Sequence, residues 1–390
     1  MKAAPARFEA LDAWRGILAL GVALFHLEAL THAWGAPLLK AGWLLVDFFF
    51  VLSGFVIAHA YSGRLNTLRE ARVFLIRRIG RVWPLHAAML AAFVAHELLK
   101  LIAMMSGAAA QGPFLPGTNT SVESIFTNLL LIQALNLHGQ ETWNFPGWSI
   151  SAELVSYVVF ALIALAFPAG RLRALALIGL VSLIAVTVLS KGTLHVTHDF
   201  GALRCLAGFS AGVLAQALAK RWRGPGLETA TALETGAVIL FLAFLAFAGS
   251  NSLSYAAPFL FAAMTMAFAY QRGKVSRLLL AAPLQALGRW SYSIYMVHVI
   301  VLLFLNDILR IAENRFGLAL IREFPALDGQ GARKLIDLGS PFANDAFAVF
   351  YLALVIAAAA LAHRLIEKPG QALFRRFEGG RLVQPRASAY

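Results

Sequence analysis

Two ionisable side chains stand where lipid ought to exclude them. In LDAWRGILALGVALFHLEAL, residues 11–30, Arg15 lies near one end of an apolar run and His26 deep toward the other. Titratable groups inside a bilayer are costly, and they persist where they pair, line a cavity or do chemistry. At about 100° and 1.5 Å per residue, the interval from Arg15 to His26 is three helical turns, so the two share one face about 16 Å apart. A guanidinium stays charged and forks onto carboxylates or phosphates. An imidazole, with an ordinary pKa of about 6.5, can take up and return a proton at neutral pH.

Other residues of the same kind sit in other apolar stretches. Asp47 in WLLVDFFFVLSGF and Glu153 in NFPGWSISAELVSYVVF begin segments that run inward from the outer side, which predicts the depth of His26 for both. A carboxylate fixes the tautomer of an imidazole and stabilises its cation, so Asp47 or Glu153 is expected to orient His26 as a base. The bland alternative is a carboxylate–histidine contact that only locks helices together. On the opposite side, RVFLIRRIGRVWPLH carries Arg77, Arg78 and Arg81. Arg77 and Arg81 are four apart with Arg78 alongside, a pattern that can present forked donors to phosphates or to anionic lipid headgroups. His298 in SYSIYMVHVIV, with Tyr292 nearby, is a secondary candidate.

The elements that must hold these groups are membrane spans. The 390 residues are 59% hydrophobic and 14% charged, with 29 phenylalanines, and so few charges cannot clothe a soluble domain of this length. Ten stretches are long and apolar enough to cross a hydrocarbon core of about 30 Å. They are placed near Leu11–Thr31, Gly42–Tyr61, Pro84–Ser106, Trp148–Phe167, Arg173–Leu189, Gly201–Ala219, Thr229–Ala248, Ser252–Tyr270, Trp290–Leu309 and Asn344–His363. The expected fold is therefore all-α and polytopic, with one membrane domain over residues 1–366 and a short basic tail over 367–390.

Charge orients the spans. Lys2 and Arg7 precede the first span, which also fits the start of a secretory signal, although an uncleaved span agrees better with the later charges. Arg64, Arg69 and Arg72 follow the second span; Arg171, Lys220, Arg221, Arg223, Arg272 and Lys274 follow the fourth, sixth and eighth; Arg375, Arg381 and Arg386 fall in the tail. The stretch 107–147 on the other side has neither lysine nor arginine. The positive-inside rule then places both termini in the cytoplasm and explains the net charge of +13 without nucleic acid. The loop 306–342 carries both signs and is expected to form an outer amphipathic cap. SIFTNLLLIQALNL, too short to span, is expected to be re-entrant or interfacial.

Three motif matches carry less. GFSAG, residues 208–212, fits a nucleophile elbow in pattern but lies inside an apolar span, where it reads as a small-residue helix contact. Cys205, the single cysteine, excludes an internal disulfide and reads as a packing residue. HVTHD, residues 195–199, has poor metal-ligand spacing and is expected to serve an outer loop.

Taken in chain order, LDAWRGILALGVALFH, FFFVLSGFVI, RRIGRVWP, WSISAE, LGRWSYSIYMVH and IEKP resemble the acyltransferase 3 family of bacterial inner-membrane O-acyltransferases. Arg15 and His26 match the family's R-x10-H pair, and the similarity runs from about Phe8 to Phe377. The resemblance implies transfer of an acyl group from cytoplasmic acyl-CoA, acetyl-CoA first among donors, to a hydroxyl of a cell-surface glycan or lipid-linked acceptor. It implies His26 as base, with Asp47 or Glu153 orienting it, and Arg15, Arg77, Arg78 and Arg81 on the side of the coenzyme, among membrane lipids and without a metal. Direct attack on the thioester is expected, with an acyl-enzyme as the alternative. A secondary transporter using the same intramembrane residues is the rival reading, against which the chain has no inverted repeat.

Overall fold

The computed structural model describes residues 7–61, 63–105, 114–222, 224–325 and 332–378. Lys2, Arg223, Ser106, Arg381 and Arg386, and with the last two half of the expected tail, lie outside that set. Fourteen α-helices follow in order: α1 Glu9–Phe25, α2 Pro37–Lys40, α3 Leu45–Tyr61, α4 Leu68–Met105, α5 Val122–Leu129, α6 Trp148–Ala166, α7 Arg171–Leu189, α8 Gly201–Arg221, α9 Leu227–Ala248, α10 Ala257–Ala269, α11 Lys274–Leu279, α12 Ala282–Phe316, α13 Pro341–Ala362 and α14 Lys368–Arg375. Two short strands, β1 Ile321–Pro325 and β2 Ala332–Ile336, separate α12 from α13.

Among the described residues nine helices are long and apolar enough to cross a membrane. They correspond to the second through tenth expected spans. The first, α1, has 17 residues and stops at Phe25, short of the expected Thr31. His26 is therefore its C-cap and begins the outer loop.

Two spans are far longer than a bilayer requires. α4 has 38 residues and α12 has 35, about 57 and 52 Å at 1.5 Å per residue. The third span, expected from Pro84, is thus only part of α4, and the arginines of RVFLIRRIGRVWP stand on the same continuous helix. Pro84 lacks an N–H, an omission that membrane helices tolerate when neighbours cover the site. Gly370 lies over Pro84, and Phe374 of α14 lies over Gly80. The chain from Lys368 to Glu378 is therefore packed along α4.

Small residues set the closest helix crossings, as membrane packing requires when burial of apolar surface offers no advantage over lipid. Gly16 of α1 faces the backbone of Leu287 and Gly288 on α12, and Gly288 faces the Asp12 carbonyl in return. Gly54 of α3 faces the Phe209 carbonyl, and Gly212 of α8 faces the Val51 carbonyl. GFSAG is thus a helix contact inside α8. Cys205 is fully buried, and the Ser156 hydroxyl donates to its sulfur at 3.2 Å.

The loops differ from expectation on one point. SIFTNLLLIQALNL forms only the eight-residue α5 and turns. The outer cap, however, contains the antiparallel pair β1–β2, with Ile321 opposite Ile336. Ile336 also donates to the Glu28 carbonyl at 2.8 Å and accepts from the Leu30 N–H at 3.0 Å. This strand edge anchors the chain just beyond His26.

A bulky side chain at Gly212 would enter the backbone of α3. Overpacking of a close crossing costs about 1–3 kcal/mol, so Gly212→Leu is expected to lower the melting temperature of the detergent-solubilised protein, whereas Gly236→Leu, with open space around it, leaves it unchanged.

Candidate active site

The ends of α1 and the middle of α12 bring two histidines together. His26 Nδ1 lies 2.9 Å from His298 Nε2. The ring planes are inclined by only 16°, with centroids 5.0 Å apart, the edge-to-edge placement of an in-plane hydrogen bond. His298 Nδ1 donates to the Tyr295 carbonyl at 2.7 Å. Phe145 meets the His26 ring edge-on at 4.9 Å. His298 is fully buried, while His26 keeps partial exposure at the outer end of α1.

The carboxylate expected beside His26 is elsewhere. Asp47 accepts two hydrogen bonds from Arg204, from Nε at 2.9 Å and from Nη2 at 2.7 Å. Two further Arg204 hydrogen bonds reach the Val196 carbonyl and the Trp43 carbonyl, each at 3.0 Å. The guanidinium lies between the rings of Trp43 and Trp148, at 5.0 and 5.3 Å. Such an ion pair is closed on every side and ties α3, α6, α8 and the segment before α8 together. Glu153 accepts from Tyr157 at 2.6 Å, and Tyr157 also meets Ser53 at 3.0 Å. The polar partner of His26 is a second histidine because α12 presents His298 at the end of α1, whereas the carboxylate that α3 supplies is engaged by Arg204.

Below the pair is a cavity of about 820 Å³, its open mouth included. Its walls are mainly apolar, from Val46, Phe49, Phe50, Leu52 and Val56, with Glu153 and Ser53 to one side. Tyr292 and Tyr295 line it from α12, and His298 follows three residues after Tyr295 on the same helix face. The Tyr295 hydroxyl is fixed by Ser149 at 2.8 Å and donates to the Pro146 carbonyl at 3.0 Å. Tyr292 donates to the Val82 carbonyl at 2.6 Å, so this secondary candidate is a tie between α12 and α4 whose hydroxyl is already engaged.

A second cavity, about 1000 Å³ with its mouth, opens on the basic face. Its walls supply Arg7, Arg15, Arg81, Arg289, Lys368 and Arg375, against the acids Asp12 and Glu367. Arg15 and Arg81 line both spaces. Asp12 holds Arg7 at 2.8 Å and Arg15 at 3.7 Å. Glu367 lies 3.8 Å from Arg81 and accepts from Ser293 at 2.7 Å, at the end of a π-helical turn over His363–Glu367. One turn of π-helix rotates the following residues and is often found at functional sites.

The arginine cluster divides. Arg78 and Arg81 line the inner cavity, but Arg77 turns to Glu378 at 2.6 Å and lines neither space. It anchors the segment after α14 and lies off the expected phosphate-binding face. Arg78 lies 5.9 Å from the Tyr61 ring centroid. On the outer face His195 stacks on Trp43 at 4.7 Å, which gives HVTHD a structural place, and the half-buried Glu141 has its carboxyl pushed up by burial.

Sequence reasoning passed over Arg204 and Glu367. Arg204 in GALRCLAGF carried the same signal as Arg15, an arginine within an apolar span, and could have been found by it. Glu367 lay in IEKP at the end of the last span, but its contact with Arg81 spans most of the chain.

This all-α, multi-pass membrane protein thus holds a histidine pair near an inner cavity that shares Arg15 and Arg81 with a basic vestibule. A family model described as an acyltransferase domain matches residues 8–364, and the chain belongs to that family, the acyltransferase 3 family of O-acyltransferases. It is 33% identical over 162 residues, 40% of its length, to "Protein 2 in picA locus" of Rhizobium radiobacter, of which the match covers 82%. No solved structure matches it.

The ion pair of α3 and α8 can be separated from the chemistry. Arg204→Met leaves a buried carboxylate without a partner and is expected to cost about 3–5 kcal/mol, seen as a lowered melting temperature. Asp47→Leu with Arg204→Met removes both charges and should recover most of that loss and keep enzymatic turnover, since neither group touches His26.

Proposed function

We propose that this membrane acyltransferase moves an acyl group, acetyl first among candidates, from cytoplasmic acyl-CoA to a hydroxyl of an extracytoplasmic cell-surface glycan or lipid-linked saccharide, in the inner membrane of a bacterium. One observation carries the reading: a vestibule rich in cations and a mainly apolar inner cavity share Arg15 and Arg81 in their walls, and the inner cavity is also lined by Tyr295, which precedes His298 by one turn on α12. Six cationic side chains against two acids favour a polyanion such as the phosphates of coenzyme A. The apolar inner cavity favours an uncharged arm and acyl group. From Arg15 to His26 is about 16 Å along α1, a length that an extended pantetheine arm matches.

In the mechanism that follows, the phosphates stay among Arg7, Arg289, Lys368 and Arg375, while the arm passes Arg15 and Arg81. Glu367 and Asp12 hold these two arginines, which need not reorganise when the donor arrives. The acceptor hydroxyl approaches His26 from the outer face, where that residue is partly exposed. His26 removes the hydroxyl proton as the oxygen bonds to the thioester carbonyl carbon. Collapse of the tetrahedral intermediate breaks the carbon–sulfur bond. The proton on His26 neutralises the leaving thiolate, so an ester and coenzyme A are the products.

The test is transfer of label from radiolabelled acetyl-CoA to surface glycan in membrane vesicles. His26→Ala, at matched levels of folded protein, is expected to lower transfer by a factor of about 10²–10⁴. Arg15→Ala and Arg81→Ala are expected to raise the donor KM by roughly 10–100-fold, the loss of one charge-assisted hydrogen bond each. A trapped acylated side chain would favour the acyl-enzyme route. Solute movement that persists without any acyl donor would support a secondary transporter instead.

A further inference from the structure

The hydrogen bonds around the two histidines have a direction. A carbonyl oxygen can only accept, so the contact between His298 Nδ1 and the Tyr295 carbonyl requires the hydrogen to be on His298 Nδ1. In the neutral ring the other nitrogen, Nε2, then carries a lone pair. That lone pair faces His26 Nδ1 at 2.9 Å, so the hydrogen between the rings belongs to His26. Neutral His26 with its hydrogen on Nδ1 leaves Nε2 as its free lone pair. The opposite tautomer of His26 would set two lone pairs against each other.

We propose, on the acyl-transfer reading above, that His298 is the positioning residue of the site: it holds His26 in the Nδ1–H tautomer and so makes His26 Nε2 the nitrogen that takes the acceptor's proton. When Nε2 takes that proton, the cation keeps its Nδ1–H directed at His298 Nε2, which remains an acceptor throughout. A backbone carbonyl, a neutral histidine and a catalytic histidine thus form a chain in which each group fixes the hydrogen of the next. Asp47 and Glu153 are not needed for that role, since their hydrogen bonds run to Arg204 and Tyr157.

The surrounding contacts hold this chain still. The Tyr351 hydroxyl lies 3.3 Å from the Ala23 carbonyl and 3.2 Å from the His298 carbonyl, bridging α1 and α12 from α13. Asn144 donates to the Met296 carbonyl at 3.0 Å. Phe145 and Phe25 bound the His26 ring at 4.9 and 4.8 Å. The titratable groups that face the pair are Tyr295 on α12, Tyr351 on α13 and His195 on the outer segment, and none of them is a carboxylate.

Two independent experiments test this. In the full-length wild-type protein labelled with ¹⁵N-histidine, solid-state NMR at neutral pH is expected to show His26 protonated at Nδ1 and bare at Nε2, with His26→Asn identifying its signals. A bare Nδ1 on His26 overturns the proposal, and this readout does not depend on knowing any substrate. In the acyl-transfer assay, His298→Leu is expected to lower kcat about 10²-fold or more while the donor KM stays within about threefold. His298→Gln supplies an amide oxygen that can accept from His26 Nδ1–H, and is expected to recover at least about tenfold over the leucine variant. His298→Glu places a negative charge beside His26, stabilises its cation and should move the acidic limb of the pH–kcat profile to higher pH. A leucine variant within about threefold of wild type, or a glutamine variant no better than leucine, overturns the proposal. If the wild type transfers no acyl group to any acceptor tried, the functional reading fails while the NMR result still decides the tautomer.

Discussion

Water is scarce inside a bilayer, and every charge or polar group placed there must find a partner in the protein or border a space that water and ligand can enter. The structure sorts its intramembrane charges by that constraint. Asp47 pairs with Arg204, whose other contacts are two backbone carbonyls and two aromatic faces, so that each Arg204 nitrogen has a partner. Arg15, Arg78 and Arg81 are only partly matched by carboxylates and border the cavities instead. The first group fixes helices, and the second has donors to offer. Residue type alone does not separate them, since both groups contain arginine within apolar sequence.

Helix α12 is the element on which the two halves of the site meet. Its start packs against α1 through Gly16 and Gly288, and its central turns present Tyr292, Tyr295 and His298 in succession toward the cavity and the outer end of α1. The close crossing is what allows His298 to reach His26: a larger side chain at either glycine would separate the helices over the whole length of α1. The same helix carries Ser293, whose hydroxyl donates to Glu367 and so connects the histidine end with the carboxylate that faces Arg81. One rigid element therefore spaces the basic vestibule from the histidine pair, a more precise support than a loop provides.

The two faces differ in construction. On the basic face, helix ends and the packed segment from Lys368 to Glu378 surround a vestibule of long cationic side chains. On the outer face α1 ends early, and its continuation is bound to the β1–β2 pair through Ile336. Ending α1 at Phe25 makes His26 the C-cap, where its residue is partly exposed and its ring faces His298.

Composition and spacing determined the class of fold. The lengths of the apolar runs follow from bilayer thickness, and each matches a helix within a few residues except at α1, at Pro84 and at both ends of α12, where a run of hydrophobicity says nothing of where a helix starts or stops or whether proline interrupts it. Arg15 and His26 were legible because they lie three turns apart on one helix, a local relation that helical geometry fixes. Their partners were not. Asp47 and Glu153 were assigned to His26 from depth alone, yet depth leaves open which helices are neighbours. That was decided by small residues at Gly16, Gly288, Gly54 and Gly212, which set α12 beside α1 and α8 beside α3 and so delivered His298 to His26 and Arg204 to Asp47. His26 and His298 are 272 residues apart in the chain, and a contact across that interval is a property of packing, which pairs side chains through space, and not of any local pattern.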